Sequence, residues 1–193
     1  ATGCPKPAMR SVELARSYGV KLHVRSAFSW VPGTWVSEEP SMENAIISAV
    51  THDTSEAKMT VSGVPDQPGV AAKLFRSLAD ADVNVDMIVQ NVSDAGATDI
   101  SFTLPHEQVS AATATVNALV AEIGAKGVVT DTGIGRVSLT GAGMQTNPGV
   151  AATMFETLST SGINIEMIST SAIRISCVVR EDQAEQAVTV LHA

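Results

Sequence analysis

Pro68-Gly69-Val70-Ala71-Ala72 recurs eighty residues further along the chain as the identical segment 148–152. At this offset, residues 63–91 and 143–171 share 11 identical residues in 29 aligned positions. Unrelated segments of this composition would share about two or three. The chain therefore contains an internal duplication, and we expect both copies to adopt the same fold.

Each copy begins with alternating polar and apolar residues, 58–62 and 136–140, which is typical of a strand. A Pro-Gly turn follows, and then apolar residues recur on one helical face: Val70, Ala71, Leu74, Phe75 and Leu78, or Val150, Ala151, Met154, Phe155 and Leu158. Two more strands and a second helix complete each copy: 83–89, 98–104 and 106–123, or 163–168, 173–179 and 181–191. The order predicts an α+β protein with two ferredoxin-like βαββαβ domains.

The last strand of each domain has a different expected source. The first copy continues into a strand near residues 127–131, whereas the second copy reaches Ala193 without a strand pattern of its own. A spare strand pattern at 45–50 precedes the first copy. We expect it to complete the second domain, so that the first domain is inserted in the second. The alternative is that this strand packs alone.

Residues 1–40 form no domain by themselves. The pattern predicts a helix at 10–18, ended by Gly19, a strand at 21–28 and a linker at 29–40. One helix and one strand look like the end of a larger domain. The predicted organisation is therefore a remnant and linker at 1–40, a linker and contributed strand at 41–56, the first repeat domain at 57–132 and the second at 133–193.

Composition excludes several classes of protein. The chain has 12 Lys+Arg against 20 Asp+Glu, a net charge of −8, which argues against nucleic-acid binding. No apolar run reaches the roughly 18–20 residues that cross a bilayer. Cys4 and Cys177 do not make a secreted disulfide framework. We expect a cytoplasmic protein with neither a nucleic-acid nor a membrane partner.

The two Pro-Gly loops are the candidate binding elements. Each lies between a strand and a helix start, where free N–H groups and the helix dipole favour a carboxylate. Asp66, in the loop 65–69, could accept an ammonium group, and the two features together suit an α-amino acid. An ordinary turn, with Asp66 or Asn147 as the helix cap, fits the same spacing. Asn84 and Asn164 are either ligand or interface residues, or turn residues.

A catalytic constellation is not evident in the sequence. The four histidines have no metal-ligand spacing, and no GxxxxGK[ST] phosphate loop occurs. Cys177 lies in an apolar strand and is expected to be a core residue. We therefore expect no catalytic residue, no metal and no cofactor in this chain.

The duplicated units resemble the paired ACT domains of aspartate kinase. The residues that carry the resemblance are 55–58, 85–93, 98–103, 141–144 and 164–171, and the likeness is closest to the actinobacterial enzymes regulated by lysine and threonine. Residues 9–36 resemble the last helix and strand of that family's kinase domain. The family's amino-terminal lysine and glycine-rich nucleotide motif is absent from this sequence.

The resemblance implies a regulatory role. The whole enzyme phosphorylates the side-chain carboxylate of aspartate with ATP and Mg²⁺, the first step towards lysine, threonine and methionine. ATP and Mg²⁺ would bind in the kinase domain, so we expect this chain to be inactive alone. The ACT pair is the family's sensor: the first ACT domain of one chain pairs with the second of another, and effectors bind at the seam between them.

The resemblance also implies the effector contacts and partners. L-threonine and/or L-lysine would contact Asp66, Gln67, Pro68, Gly69, Val70, Ala71, Asn84, Val85, Asp86, Gln90, Val150, Ala151, Asn164 and Ile165. Asp86 or Glu166 could hold a lysine ammonium, and Gln90 a threonine hydroxyl. The expected assembly is a homodimer, alone or with full-length aspartate kinase subunits. Met42 lies where some related enzymes start a separate regulatory subunit. The alternative is an ACT dimerisation module without effector binding.

Overall fold

A short amino-terminal unit precedes the two copies of the duplication. A computed structural model describes residues 8–36, 47–91, 96–141, 144, 147 and 149–192. In this first unit, the helix α1 (Met9–Ser17) is followed by the antiparallel hairpin of β1 (Leu22–Val24) and β2 (Thr34–Val36). The predicted strand at 21–28 is thus shorter, and the predicted linker contains a strand. Residues 25–33 connect the two strands, and Gly33, directly before β2, has φ +77° and lies so close to Val24 that an added Cβ would clash with the Val24 oxygen.

The first copy folds as the duplication predicts. Its elements are β4 (Glu56–Pro65), α2 (Val70–Asp80), β5 (Ile88–Gln90), β6 (Ala97–Pro105), α3 (Val109–Ile123) and β7 (Gly127–Asp131), and we call residues 56–131 unit one. The strand order is β5-β6-β4-β7, and all pairs are antiparallel. Phe102, Met59 and Leu74 are fully buried in the core between this sheet and its helices.

The second copy takes one strand from before the first copy. Its elements are β3 (Ala49–Asp53), β8 (Ile134–Thr140), α4 (Val150–Thr160), β9 (Met167–Thr170), β10 (Arg174–Arg180) and α5 (Ala184–His192), and we call them unit two. The strand order is β3-β8-β10-β9. The spare strand therefore completes the second sheet, and unit one is inserted in unit two, as expected. The strand occupies 49–53 rather than 45–50; residues 45 and 46 lie outside the described residues.

Two predicted strands begin later than expected. The prediction was 83–89 and 163–168, but β5 starts at Ile88 and β9 at Met167. Regular pairing starts only where the chain reaches β6 or β10: Asp86 N–H donates to Thr103 O at 3.0 Å, and Glu166 N–H donates to Val178 O at 2.8 Å. The residues between each helix and its strand therefore follow a less regular path along the sheet edge.

The two units pack through the sheet faces that carry no helix. Met87 of unit one contacts Ile134, Met167 and Val178 of unit two in a small buried cluster, with Val89 beside it. Both crossovers between the units are Asx turns: Ser55 N–H donates to the Asp53 carboxylate at 2.8 Å, and Gly133 N–H to the Asp131 carboxylate at 2.9 Å. The chain thus passes from one unit to the other twice by the same local structure.

Candidate functional site

The loop 66–69 presents an uncapped helix start. Asp66 N–H donates to Gly96 O at 3.1 Å, which ties the loop to the start of β6. Gly69 is the N-cap of α2 with φ +95°, and no side-chain cap hydrogen bond occurs there. The Asp66 carboxylate has no hydrogen-bond or ion-pair partner within the described ranges. The capping role is therefore not seen for Asp66, and the N–H groups of Ala71 and Ala72 in the first turn are the ones available to an anion.

The second loop repeats this geometry where it is described. Gly149 is the N-cap of α4 with φ +134°, again without a side-chain cap hydrogen bond among the described residues. Val150 N–H donates to Asn147 O at 3.5 Å, as Val70 N–H donates to Gln67 O at 3.4 Å. Residues 145, 146 and 148 of this loop lie outside the described residues. The two helix starts are thus alike, and only the first has an acidic residue at the aligned position.

The turn after α2 does not need Asn84. Asp82 adopts the left-handed conformation with φ +57°, and Gly162 does so with φ +74° in unit two. Gln108 fixes the turn after α2: its Oε1 accepts from Asn84 N–H at 2.8 Å, and its Nε2 donates to Asp82 O at 3.2 Å. The Asn84 side chain is exposed at the surface, and the side chain that holds this turn is that of Gln108.

Asn164 borders an open hollow of about 440 Å³ beside α4. Phe155, Ser159, Gly162, Ile163 and Ile165 line the rest of it. Its walls combine apolar side chains with one amide and one hydroxyl, which are the groups that would surround the side chain of a small amino acid.

The other predicted contacts fall into two groups. Six are half-buried and pack against the two cores, so that they shape the surface: Val70, Ala71, Val85, Val150, Ala151 and Ile165. Three are exposed, namely Gln67 and Pro68 in the first loop and Gln90 at the end of β5. The side chains of the six half-buried residues are apolar, so they cannot form hydrogen bonds to a ligand.

Asp86 and Glu166 lie between the two units. Asp86 forms an ion pair with Arg136 of unit two, and Glu166 forms one with Lys58 of unit one. Arg180 also donates to Glu166 at 3.1 Å. The two acids considered for a lysine ammonium therefore already have cationic partners.

This charged layer perturbs several carboxyl groups. Burial alone would raise the pKa of Glu166, but hydrogen bonds from Lys58 and Arg180 hold it below its ordinary value. The Arg180 guanidinium likewise lowers the pKa of Asp131. Glu56 is different: burial raises its pKa despite the opposing charge of Arg136, and its Oε2 is buried without a hydrogen-bond partner. The layer thus contains one carboxylate whose burial is incompletely compensated.

This layer was not predicted from the sequence, although a signal for it exists. Residues 53–58 read Asp-Thr-Ser-Glu-Ala-Lys, and residues 131–136 read Asp-Thr-Gly-Ile-Gly-Arg. The shared Asp-Thr and the basic residue at the sixth position mark the two crossovers and the two cations of the interface. Only the fold reveals that each cation meets an acid of the other unit.

The structure does not bring the candidate residues of one unit together. The loop 66–69 precedes α2, and Asn84 follows it. This helix has 11 residues, so that its ends are separated by about 16 Å at 1.5 Å per residue. An amino acid shorter than this distance cannot contact both segments. In unit one, the loop and the Asn84 segment are therefore too far apart to contact one such amino acid together.

The described part of the chain offers neither a metal site nor a membrane helix. No group of three or more His, Cys, Asp or Glu residues is placed to hold a metal ion there. No helix in the described ranges is both long and apolar enough to span a bilayer.

Comparison with known proteins identifies the units. The family model described as "ACT domain" matches residues 59–119 and 137–193. The aspartokinase of Mycolicibacterium smegmatis is 50% identical over 197 aligned residues, covering 100% of this chain and 47% of that protein. The chain thus spans about half the length of this curated relative.

Solved structures give the same family. The structure of aspartokinase alpha and beta subunits matches with 41% identity and a TM-score of 0.72, covering 76% of this chain and 96% of that one. The ligand-free regulatory subunit of aspartate kinase from Thermus thermophilus matches with 36% identity and a TM-score of 0.72, covering 76% and 97%.

Proposed function

The chain belongs to the aspartokinase family, of which it forms the regulatory region with two ACT domains, and we propose that it binds L-threonine and/or L-lysine as a homodimer. In this proposal, the bound amino acid inhibits an aspartate kinase that phosphorylates L-aspartate with ATP and Mg²⁺, the first step towards lysine, threonine and methionine. The phosphoryl transfer occurs in a kinase domain outside this chain. The expected location is the cytoplasm.

The observation that carries the proposal is the start of α2. Gly69 caps this helix without a side-chain hydrogen bond, and the Asp66 carboxylate beside it has no partner within the described residues. The uncapped N–H groups suit the α-carboxylate of an amino acid, and Asp66 suits its α-ammonium. An α-amino acid is the small ligand that presents both charges a short distance apart.

A second copy of the chain completes each site in this proposal. The strands β5 and β9 are at sheet edges, and Ile88 and Ile168 on them are 51% and 43% exposed. If β5 paired antiparallel with β9 of another copy, the end of β5 would lie beside the start of β9. The loop 66–69 of one copy would then lie near Asn164 of the other copy. Asn164 would supply the amide that Asn84 of the same unit cannot, because Asn84 is about 16 Å from the loop.

Inhibition requires that the effector distinguishes two arrangements of the ACT dimer. Binding at the seam stabilises the arrangement in which the loop and the Asn164 segment lie close together. The kinase is inhibited only to the extent that this arrangement binds effector more tightly than the active one. The exposed apolar residues of the amino-terminal unit, including Phe28 and Trp30, suit burial against the rest of the kinase domain, whose last helix and strand this unit resembles.

Calorimetric titration with light scattering tests the proposal. We expect threonine, lysine or both to bind saturably to a dimer, and Asp66→Ala to weaken this binding at least about tenfold, since it removes the ammonium partner. Asp80→Ala is the matched control, because Asp80 is an exposed acid at the opposite end of α2. A folded dimer that binds neither amino acid favours the alternative function, an ACT dimerisation module without effector binding.

A further inference from the structure

The two units exchange ion pairs in a reciprocal manner. Arg136 of unit two pairs with Asp86 of unit one, and Lys58 of unit one pairs with Glu166 of unit two. The two bases occupy equivalent positions on β8 and β4, and the two acids are eighty residues apart in the duplication. A pseudo-two-fold axis therefore relates the two pairs, and each unit provides one base and one acid.

The flanking residues repeat the same symmetry. Lys58 is opposite Asp131 in the β4–β7 register, and Arg136 is opposite Asp53 in the β8–β3 register. Arg136 Nη2 lies 3.4 Å from the Asp53 carboxylate. Each base thus lies between two acids, an aspartate of its own unit and an acid of the opposite unit. The duplicated chain preserves this arrangement in both halves.

Three of the four side chains are shielded from solvent. Those of Arg136, Lys58 and Glu166 are 11%, 20% and 17% exposed, whereas that of Asp86 is 47% exposed. Salt screens partly buried charges much less than charges at the surface. The Lys58–Glu166 contact in particular therefore restricts the relative position of the groups that it joins more than a surface ion pair would.

Each acid directly follows a candidate effector segment. Asn84 and Val85 precede Asp86, and Asn164 and Ile165 precede Glu166. The segments lie before the regular strands β5 and β9 begin, and the first backbone hydrogen bonds to the sheet come from the N–H groups of the acids themselves, Asp86 to Thr103 O and Glu166 to Val178 O. We propose that Arg136 and Lys58 are positioning residues: each fixes the effector segment of the opposite unit, and the two segments of one chain are thereby coupled. This inference rests on the proposed function.

Lys58→Met is the main test, because Glu166 keeps Arg180 as a cationic partner and we therefore expect the fold to be retained. In the ligand-free 193-residue chain, we expect the backbone amide resonances of Asn164 and Ile165 to shift, although the substitution is in the other unit. We expect threonine or lysine to bind about fivefold more weakly at the sites that contain Asn164. Lys58→Arg should restore both properties, since it keeps the charge and the reach.

Lys73→Met is the matched control. Lys73 is also in unit one and pairs with Glu122 at 2.9 Å, but both side chains are more than half exposed and the pair stays within the unit. We expect it to leave the amides of Asn164 and Ile165 and the affinity unchanged. If Lys58→Met also leaves those amides unchanged, or if Lys58→Arg does not rescue them, the positioning role is refuted.

Arg136→Lys tests the reciprocal pair. A lysine keeps the positive charge beside Glu56 but cannot reach all three acids as the guanidinium does. We expect the amides of Asn84 and Val85 in unit one to shift, and unchanged amides would refute the reciprocal half of the proposal. If the unaltered chain binds neither amino acid, the proposed function fails, and the amide shifts of the ligand-free protein still decide the positioning role.

Discussion

At the scale of single residues, Glu56 and Ile134 show how the two copies have diverged. They occupy the same place in the aligned segments 53–58 and 131–136, and Ile134 is fully buried in the apolar cluster between the units. Glu56 is 13% exposed, pairs with Arg136 at 2.9 Å and retains a buried oxygen without a partner. Unit one therefore carries an ionisable group where unit two carries a packed aliphatic side chain.

Glu56→Gln should stabilise the protein at neutral pH. Burial raises the pKa of Glu56 above its unfolded value of 4.5, so that the folded state favours the protonated form. The ionised carboxyl therefore costs stability above the folded pKa, and this cost disappears below about pH 4, where the group is protonated in both states. We expect the variant to gain about 1 kcal/mol at pH 7 and nothing at pH 3.5, measured by urea unfolding.

Glu122→Gln, at an exposed site, is the control for this experiment and should change stability little at either pH. A loss of stability in Glu56→Gln at pH 7 would show that the pairing with Arg136 outweighs the cost of burial.

Cys177 should be unreactive in the folded protein. It is fully buried, and burial raises the pKa of its thiol to about 12. A thiol reagent needs both access and thiolate. In a Cys4→Ser background at pH 8, we expect Cys177 to react only after denaturant is added. Stoichiometric reaction of the native protein within seconds would contradict the core position on β10.

At the scale of elements, the turns after α2 and α4 differ in one informative residue. Asp82 and Gly162 both adopt left-handed backbone conformations, but only glycine does so without steric cost. We expect Asp82→Gly to raise the free energy of unfolding by about 0.5–1 kcal/mol. Thermal unfolding would measure this gain.

Ala118→Gly provides the opposite control. Ala118 is exposed within α3, where glycine should lower the free energy of unfolding by about 1 kcal/mol. A loss in both variants would indicate that the Asp82 side chain contributes more to the turn than its backbone strain costs.

The elements were largely predictable because the same residue pattern occurs in both copies, so that a helix or strand predicted in one copy is also expected in the other. The apolar face at Val70, Leu74 and Leu78 predicts α2, and its repeat predicts α4. The early starts expected for β5 and β9 were wrong because alternation in 83–87 does not reveal whether a neighbouring strand is within reach. The hairpin at Gly33 was missed because Pro-Gly also marks linkers.

At the scale of the whole molecule, the chain combines a repeated fold with a reciprocal interface. The inserted order of the domains was predictable, since a strand was missing at one end and spare at the other. The ion pairs of Arg136 and Lys58 were not, because they join residues that are distant in the sequence and on separate sheets. The candidate site was predictable as a set of segments, but its division between binding positions was not.

The division follows from the length of α2. Its two ends carry the loop 66–69 and Asn84, and the fold separates them by about 16 Å. The proposed function therefore places the loop of one copy beside the Asn segment of another, and this is its central claim. The claim predicts that two defective chains can complement each other.

Mixing two variants after subunit exchange is the most direct measurement. Asp66→Ala and Asn164→Ala should each weaken the sites that contain the loop 66–69 so far that they stay empty at amino-acid concentrations that fill the unaltered sites. In a statistical mixture, half of the dimers contain one chain of each variant. Each of these dimers has two sites that combine the loop 66–69 of one chain with Asn164 of the other, and one of the two sites has both residues intact. Calorimetry should then recover about a quarter of the lost sites with unaltered affinity. A mixture that binds no more amino acid than the separate variants would contradict a site shared between two copies.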